Sequence, residues 1–178
     1  MHWVMHRTAR GLLLFSCLFS CAVLLGCASK PIERDSAEAA MFGPERMRLH
    51  PIFTQVKDWT GDGVPDGIEA EVEFQDQFDD PTKAAGKMIF ELYHYRPGYA
   101  DPRGERAGTP WVAELLTLEQ QRGHWNRTSR TYSFQLAMPG ISPKHGYVVT
   151  AMFEHIDGRR FFGHVVLNAQ TAEEPRRK

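Results

Sequence analysis

The chain has 178 residues, with 21 Lys and Arg against 22 Asp and Glu and a formal net charge of −1. That even balance, without a basic run, speaks against nucleic acid as a partner, and the length suits one domain. Cys17, Cys21 and Cys27 all fall at the N-terminal end, so the rest of the chain has no thiol for catalysis, a disulfide or a thiolate metal centre.

Arg7 and Arg10 precede residues 11–26, GLLLFSCLFSCAVLLG, which carry no charge. A basic segment, an apolar run and a small residue form the layout of a secretory signal peptide. The run is shorter than the ~20 apolar residues a spanning helix needs. Leu24-Leu25-Gly26-Cys27 closes it and resembles the lipobox of bacterial lipoproteins. The resemblance implies a diacylglycerol thioether on Cys27, cleavage before Cys27 and acylation of the new amino group. It thus implies a covalent lipid on Cys27 and a membrane-lipid partner. Several acyl chains are needed because one gives only marginal, reversible binding, at ~0.8 kcal/mol per buried CH₂. Ala28 and Ser29 follow the cysteine, where an Asp signals inner-membrane retention in that family, so the implied place is the outer membrane of a bacterial envelope. Cleavage would remove Arg7 and Arg10 and no acid, leaving 19 basic and 22 acidic residues.

Residues 27–47 read as the lipidated cysteine and a polar tether, punctuated by Pro31, Gly43 and Pro44. Residues 48–170 read as the folded domain and 171–178 as a disordered tail. Residues 49–56 are expected to form a first strand, with Pro51 placing it at an edge or bulge. Residues 68–74 alternate, with Ile68, Ala70, Val72 and Phe74 facing one way and Glu69, Glu71 and Glu73 facing a solvated side. Residues 75–86 read as a turn or short loop, 87–95 as a strand and 96–110 as loop. Residues 111–121 fit a helix or a strand, and the reading leans to a mixed or strand-like segment. Residues 128–138 alternate again, with Tyr132, Phe134, Leu136 and Met138 on one side.

The last two strands flank Asp157-Gly158, expected as a two-residue hairpin turn. That register puts His155 opposite Arg160 and Ala151 opposite His164, and the apolar character of both faces puts the hairpin in mid-sheet. Six or seven strands joined by turns predict a mainly β fold. The expectation is an antiparallel β-sandwich, immunoglobulin-like or transthyretin-like in topology.

Asp58 to Glu69, DWTGDGVPDGIE, fits a twelve-residue EF-hand-like calcium loop. Asp58, Thr60, Asp62, Val64 (by its carbonyl), Asp66 and Glu69 fall on ligand positions, and Gly63 falls on the sharp turn. The stretch also resembles the Asp/Gly-rich calcium loops of bacterial surface proteins and integrin-type propeller repeats. Thr60 replaces the usual Asp or Asn, and Glu69 begins a strand. A plain turn rich in Gly and Asp accounts for the same residues. Calcium is the one metal cofactor implied, in a structural role.

His50, His94, His124, His145, His155 and His164 show no metal spacing. His124 and Trp125, near Arg122 and Arg127, could line a ligand pocket, although a loop-anchoring Trp explains them as well. No nucleophile elbow surrounds Ser129, Ser133 or Ser142. The expected function is a non-catalytic, lipid-anchored binding or structural module of the cell envelope. Its expected partner is an envelope protein or glycan, met through edge strands and the 96–110 loop. The alternatives are an assembly or pilot lipoprotein of a secretion machine and an enzyme acting on envelope polymers. Convergence of His94, His124 and two carboxylates in one pocket would favour the enzyme.

Overall fold

The computed structural model describes residues 41–168. Residues 1–40 and 169–178 hold the signal-like segment, Cys27, most of the tether and the tail, and lie outside the described residues. The elements in chain order are β1 (Arg46–Leu49), β2 (Gln55–Lys57), β3 (Gly67–Gln75), β4 (Pro81–Thr82), β5 (Gly86–Tyr95), β6 (Arg103–Arg106) and β7 (Trp111–Glu114). They continue with α1 (Leu118–His124), β8 (Trp125–Asn126), β9 (Thr131–Ala137), β10 (Tyr147–His155) and β11 (Arg160–Leu167).

The strands form two antiparallel sheets. The first runs β1-β3-β9-β8, with β2 and β4 also paired to β3. The second runs β11-β10-β5-β6, with β7 also paired to β5. Two antiparallel sheets around one core make the β-sandwich that was expected.

The core lies between the sheets and follows the alternation of the sequence. Ile68, Ala70, Val72 and Phe74 of β3 are fully buried, as are Met88 and Phe90 of β5 and Val149 and Phe153 of β10. Phe74 joins the layers: its ring centroid lies 4.6 Å from Phe153 in the second sheet and 5.9 Å from Tyr132 in its own. Phe90 and Phe134 meet across the sandwich at 5.0 Å. With no disulfide within the domain, this apolar interior is what offsets the entropy of ordering the chain.

Several local expectations are corrected. The strand expected over 49–56 is split. Leu49 ends β1, a turn follows in which Thr54 N–H donates to the His50 carbonyl (2.9 Å), and β2 begins at Gln55. Both pieces pair with β3, and the Thr54 hydroxyl accepts from Glu71 N–H (3.1 Å) where the ladder is interrupted. Pro51 lacks the N–H to continue a ladder, which locates the break. Just before β1, Glu45 N–H donates to the Gln75 carbonyl (2.8 Å).

The carboxylates of β3 do not face open solvent. Glu71 and Glu73 are both buried. Glu71 accepts from the Thr131 hydroxyl (2.5 Å), and Glu73 from Arg48 Nε (2.8 Å) and Gln75 Nε2 (3.0 Å). β3 has neighbours on both sides, and their side chains cover the row.

The last hairpin is shifted by one residue. Glu154 pairs with Arg160, Thr150 with His164 and Ala151 with Gly163. His155 N–H bonds to the Arg159 carbonyl and Gly158 N–H to the His155 carbonyl (both 2.9 Å). The connection is thus the three residues Ile156-Asp157-Gly158, a turn ending in left-handed Gly158 (φ 90°) rather than a two-residue turn. β10 lies in mid-sheet as expected, whereas β11 is an edge.

The ambiguous 111–121 stretch is a strand and then a helix. Thr117 caps α1 by accepting from Gln120 N–H, while the Gln120 side chain accepts from Thr117 N–H (2.9 Å). This Thr-x-x-Gln capping box is legible in the sequence. The 96–110 and 75–86 loops each hold one short strand, β6 and β4.

α1 buries no residue. It is tied down by Gln121, whose Nε2 donates to the carbonyls of Ala84 (2.7 Å) and Leu115 (2.8 Å) while its Oε1 accepts from the Tyr132 hydroxyl (2.5 Å). Ala84 N–H donates in turn to that hydroxyl (3.3 Å). Tyr132→Phe keeps the ring and orphans two partners, and is expected to cost about 1–3 kcal/mol. It should lower the urea midpoint at an unchanged m-value; an unchanged midpoint would show that the hydroxyl contributes nothing.

Candidate functional site

The loop between β2 and β3 holds most of the sequence-predicted ligands. Asp66 N–H bonds to the Lys57 carbonyl (2.9 Å) and closes the hairpin that Asp58–Asp66 connects. Gly61 and Gly63 adopt φ of 76° and 88°, a region that suits glycine. Within this turn the acids face the backbone. Asp58 accepts from Gly61 N–H (2.6 Å) and Gly63 N–H (2.7 Å), Asp66 from Trp59 N–H (2.7 Å) and Thr60 N–H (3.0 Å), and Asp62 from Val64 N–H (2.8 Å). The Thr60 hydroxyl lies 3.2 Å from both Asp58 and Asp66.

Asp58, Thr60 and Asp66 are therefore brought together, with Asp62 and Val64 on the same turn. Glu69 sits apart in β3, with Oε2 3.2 Å from Lys57 Nζ. A calcium ion would compete with five backbone N–H donors for the loop oxygens. Among the described residues, no three His, Cys, Asp or Glu side chains form a group able to hold a metal ion.

Trp59 packs beneath this loop. A Cβ on Gly67 would lie 2.8 Å from the Trp59 ring and 2.2 Å from the Leu136 carbonyl oxygen, so close approach is what requires glycine there. The Trp59 indole N–H is buried without a partner.

A second concave region lies on the outer face of the second sheet, where Ala100–Arg103 border a groove of about 840 Å³. Ile89, Val148, Met152 and Phe162 give it an apolar lining, and Phe162 is 69% exposed. Its charges are mutually satisfied. Arg103 grips Asp101 with two bonds (Nε 3.0 Å, Nη2 2.9 Å) and holds its carboxyl down at about 2. Glu91 accepts from the Tyr93 hydroxyl (2.8 Å), which pushes the phenol above its usual range, and from Arg106 (3.4 Å).

The histidines do not converge. His94 belongs to the second sheet, with its ring 5.6 Å from Tyr147. His124 ends α1 beside the first sheet, stacked 4.5 Å from Phe134 with Nδ1 3.0 Å from the Ser133 carbonyl. Trp125 meets Tyr132 edge-on at 5.0 Å and carries Lys83 over its ring at 4.5 Å, which makes it an anchor for the chain around it. Lys83 and Arg130, which no sequence motif marks, join Arg122 and Arg127 in a groove beside this tryptophan.

Fold and geometry together define the class: an antiparallel β-sandwich with a self-closed acidic turn and open grooves on its surface. In comparisons with known proteins, no family model matches the chain and no curated protein matches it.

The hydrogen bonds from Gly61 and Gly63 lower the Asp58 carboxyl below its ordinary 3.8. A depressed carboxyl contributes stability that is present above 3.8 and lost as pH falls through the lowered value. Asp58→Ala should therefore lower the melting temperature at pH 7, and its deficit against the unsubstituted protein should narrow below pH ~4. A deficit independent of pH would remove the carboxylate from the explanation. The closed turn also predicts the same melting temperature in EDTA and in millimolar calcium; a rise with calcium would show that the ion displaces the amides and ligates the loop.

Proposed function

We propose that the protein is a lipid-anchored, non-catalytic lipoprotein of the bacterial cell envelope, whose β-sandwich serves as a binding or structural module. The observation that carries this reading is Leu24-Leu25-Gly26-Cys27 at the end of an uncharged 16-residue run. In this reading Cys27 carries the lipid, the tether clears the headgroups, and the domain stands at the outer membrane.

The separation of His94, in the second sheet, from His124, at the end of α1 beside the first, supports a binding role over acid–base catalysis on envelope polymers. The groove beside Ala100–Arg103 supports it too. Its ion pairs leave no free charge to satisfy, and exposed Phe162 offers an apolar anchor of the kind protein interfaces use. An envelope protein is therefore the partner this face favours.

Growth with labelled palmitate tests the anchor. The unsubstituted protein should carry the label and fractionate with membranes, and Cys27→Ser should lose both. Labelling that survives the substitution would overturn the reading.

A further inference from the structure

The groove beside Trp125 has a composition unlike the rest of the surface. It measures about 980 Å³ and runs between the β4–β5 connection, α1 and the β8–β9 turn. Lys83, Arg122, Arg127 and Arg130 line it, and no Asp or Glu does. Among the described residues, none of these four takes part in an ion pair. Elsewhere among the described residues every arginine but Arg96, which lies over the Tyr99 ring, is in an ion pair, as in Arg48–Glu73, Arg103–Asp101 and Arg159–Asp157. Four unneutralised cations in one concavity, on a chain of net charge −1, are an exception to its own pattern.

The groove is also built. Gln121 is fully used in fixing α1 to Ala84, Leu115 and Tyr132, so the helix that brings Arg122 is held against the segment that brings Lys83. Lys83 Nζ rests over the Trp125 ring at 4.5 Å, which orients its ammonium while leaving it charged. Asn126 shapes the turn that carries the other two cations. Its side chain accepts from Thr128 N–H (3.0 Å) and Ser129 N–H (3.3 Å), and its carbonyl from Arg130 N–H (2.9 Å). Arg130 itself sits at φ 59°, where side-chain-bearing residues are uncommon. A glycine or asparagine would adopt that conformation more easily, yet the position holds an arginine that reaches the groove.

We infer that this groove is a binding site for a phosphate-bearing ligand, held by Lys83, Arg122, Arg127 and Arg130. A concavity lined by one sign of charge against a low-dielectric wall concentrates counter-ions of the opposite sign. Guanidinium groups bind phosphate oxygens through paired, charge-assisted hydrogen bonds, and the ammonium adds a point charge. Cations arriving from three elements match an oxyanion with several acceptors and more than one negative charge better than a single carboxylate. The inference stands on the folded domain and is independent of the lipid anchor.

Calorimetric titration of the full chain in non-ionic detergent tests it, with inorganic pyrophosphate, glycerol 1-phosphate and short-chain phosphatidylglycerol as probes. Pyrophosphate should bind with one-to-one stoichiometry and weaken as salt is raised. Arg122→Gln and Arg130→Gln should each lose about tenfold in affinity. Arg103→Gln, on the other sheet, should lose nothing, and circular dichroism should show all three variants folded. Preference for the phospholipid over glycerol 1-phosphate would support the inference and place the phosphate in a membrane headgroup; the reverse preference would support it and place the phosphate in a soluble ligand. No heat from any phosphate probe, equal binding of acetate, or binding indifferent to Arg122→Gln and Arg130→Gln would overturn it.

Discussion

One side-chain amide decides how the outer parts of this domain are arranged. Gln121 lies on a seven-residue helix that buries nothing, and a helix that short does not persist in water by its own hydrogen bonds. Its amide bonds two carbonyls, Ala84 before β5 and Leu115 after β7, and accepts the hydroxyl of core Tyr132. Both ends of the amide are thereby used, and the hydroxyl takes a further bond from Ala84 N–H. Three segments distant in sequence meet at this point. The positions of Lys83, Arg122 and Trp125 around the cationic groove follow from it.

Charge is handled in two ways on the two sides of the sandwich. Around the apolar groove of the second sheet, Asp101 meets Arg103 and Glu91 meets Arg106, so the surface is close to neutral there. Exposed pairs of this kind add little to stability; their effect is to leave Ile89, Met152 and Phe162 as the distinguishing feature. Beside α1 the pairing fails and four cations share one concavity. The buried acids of β3 show a third arrangement. Glu71 and Glu73 are kept by Thr131 and by Arg48 with Gln75, because an unpartnered carboxylate could not stay inside a sheet flanked on both sides.

What was legible before the structure depended on the range of the forces involved. The period-two run Ile68–Phe74 and the run Tyr132–Leu136 announced their buried faces, because burial of alternate side chains is written residue by residue. Thr117 and Gln120 start α1 through a bond between near neighbours, a local signal that the strand-like reading of 111–121 passed over. The turn at Asp157-Gly158 was visible, but its length was not. One residue separates a two-residue from a three-residue connection, and that residue shifts every pair in the hairpin. Of the acidic loop, the sequence showed six oxygen donors at calcium spacing. The structure showed five backbone amides directed at the same carboxylates, and backbone donors leave no mark in composition.

The sequence by itself determined a mainly β domain, its alternating core positions, the tight turns at glycine, and the lipobox-like stretch that motivates a membrane anchor. Each of these depends on neighbours in the chain. Only the tertiary structure decided the strand order, the burial of Glu71 and Glu73, the hairpin register and the meeting of Lys83, Arg122, Arg127 and Arg130. Net charge sums over the whole chain and cancels, whereas an electrostatic site depends on distance. Lys83 stands far from Arg130 in sequence, and only the closing of two sheets around Phe74, Tyr132 and Phe153 brings them to one groove.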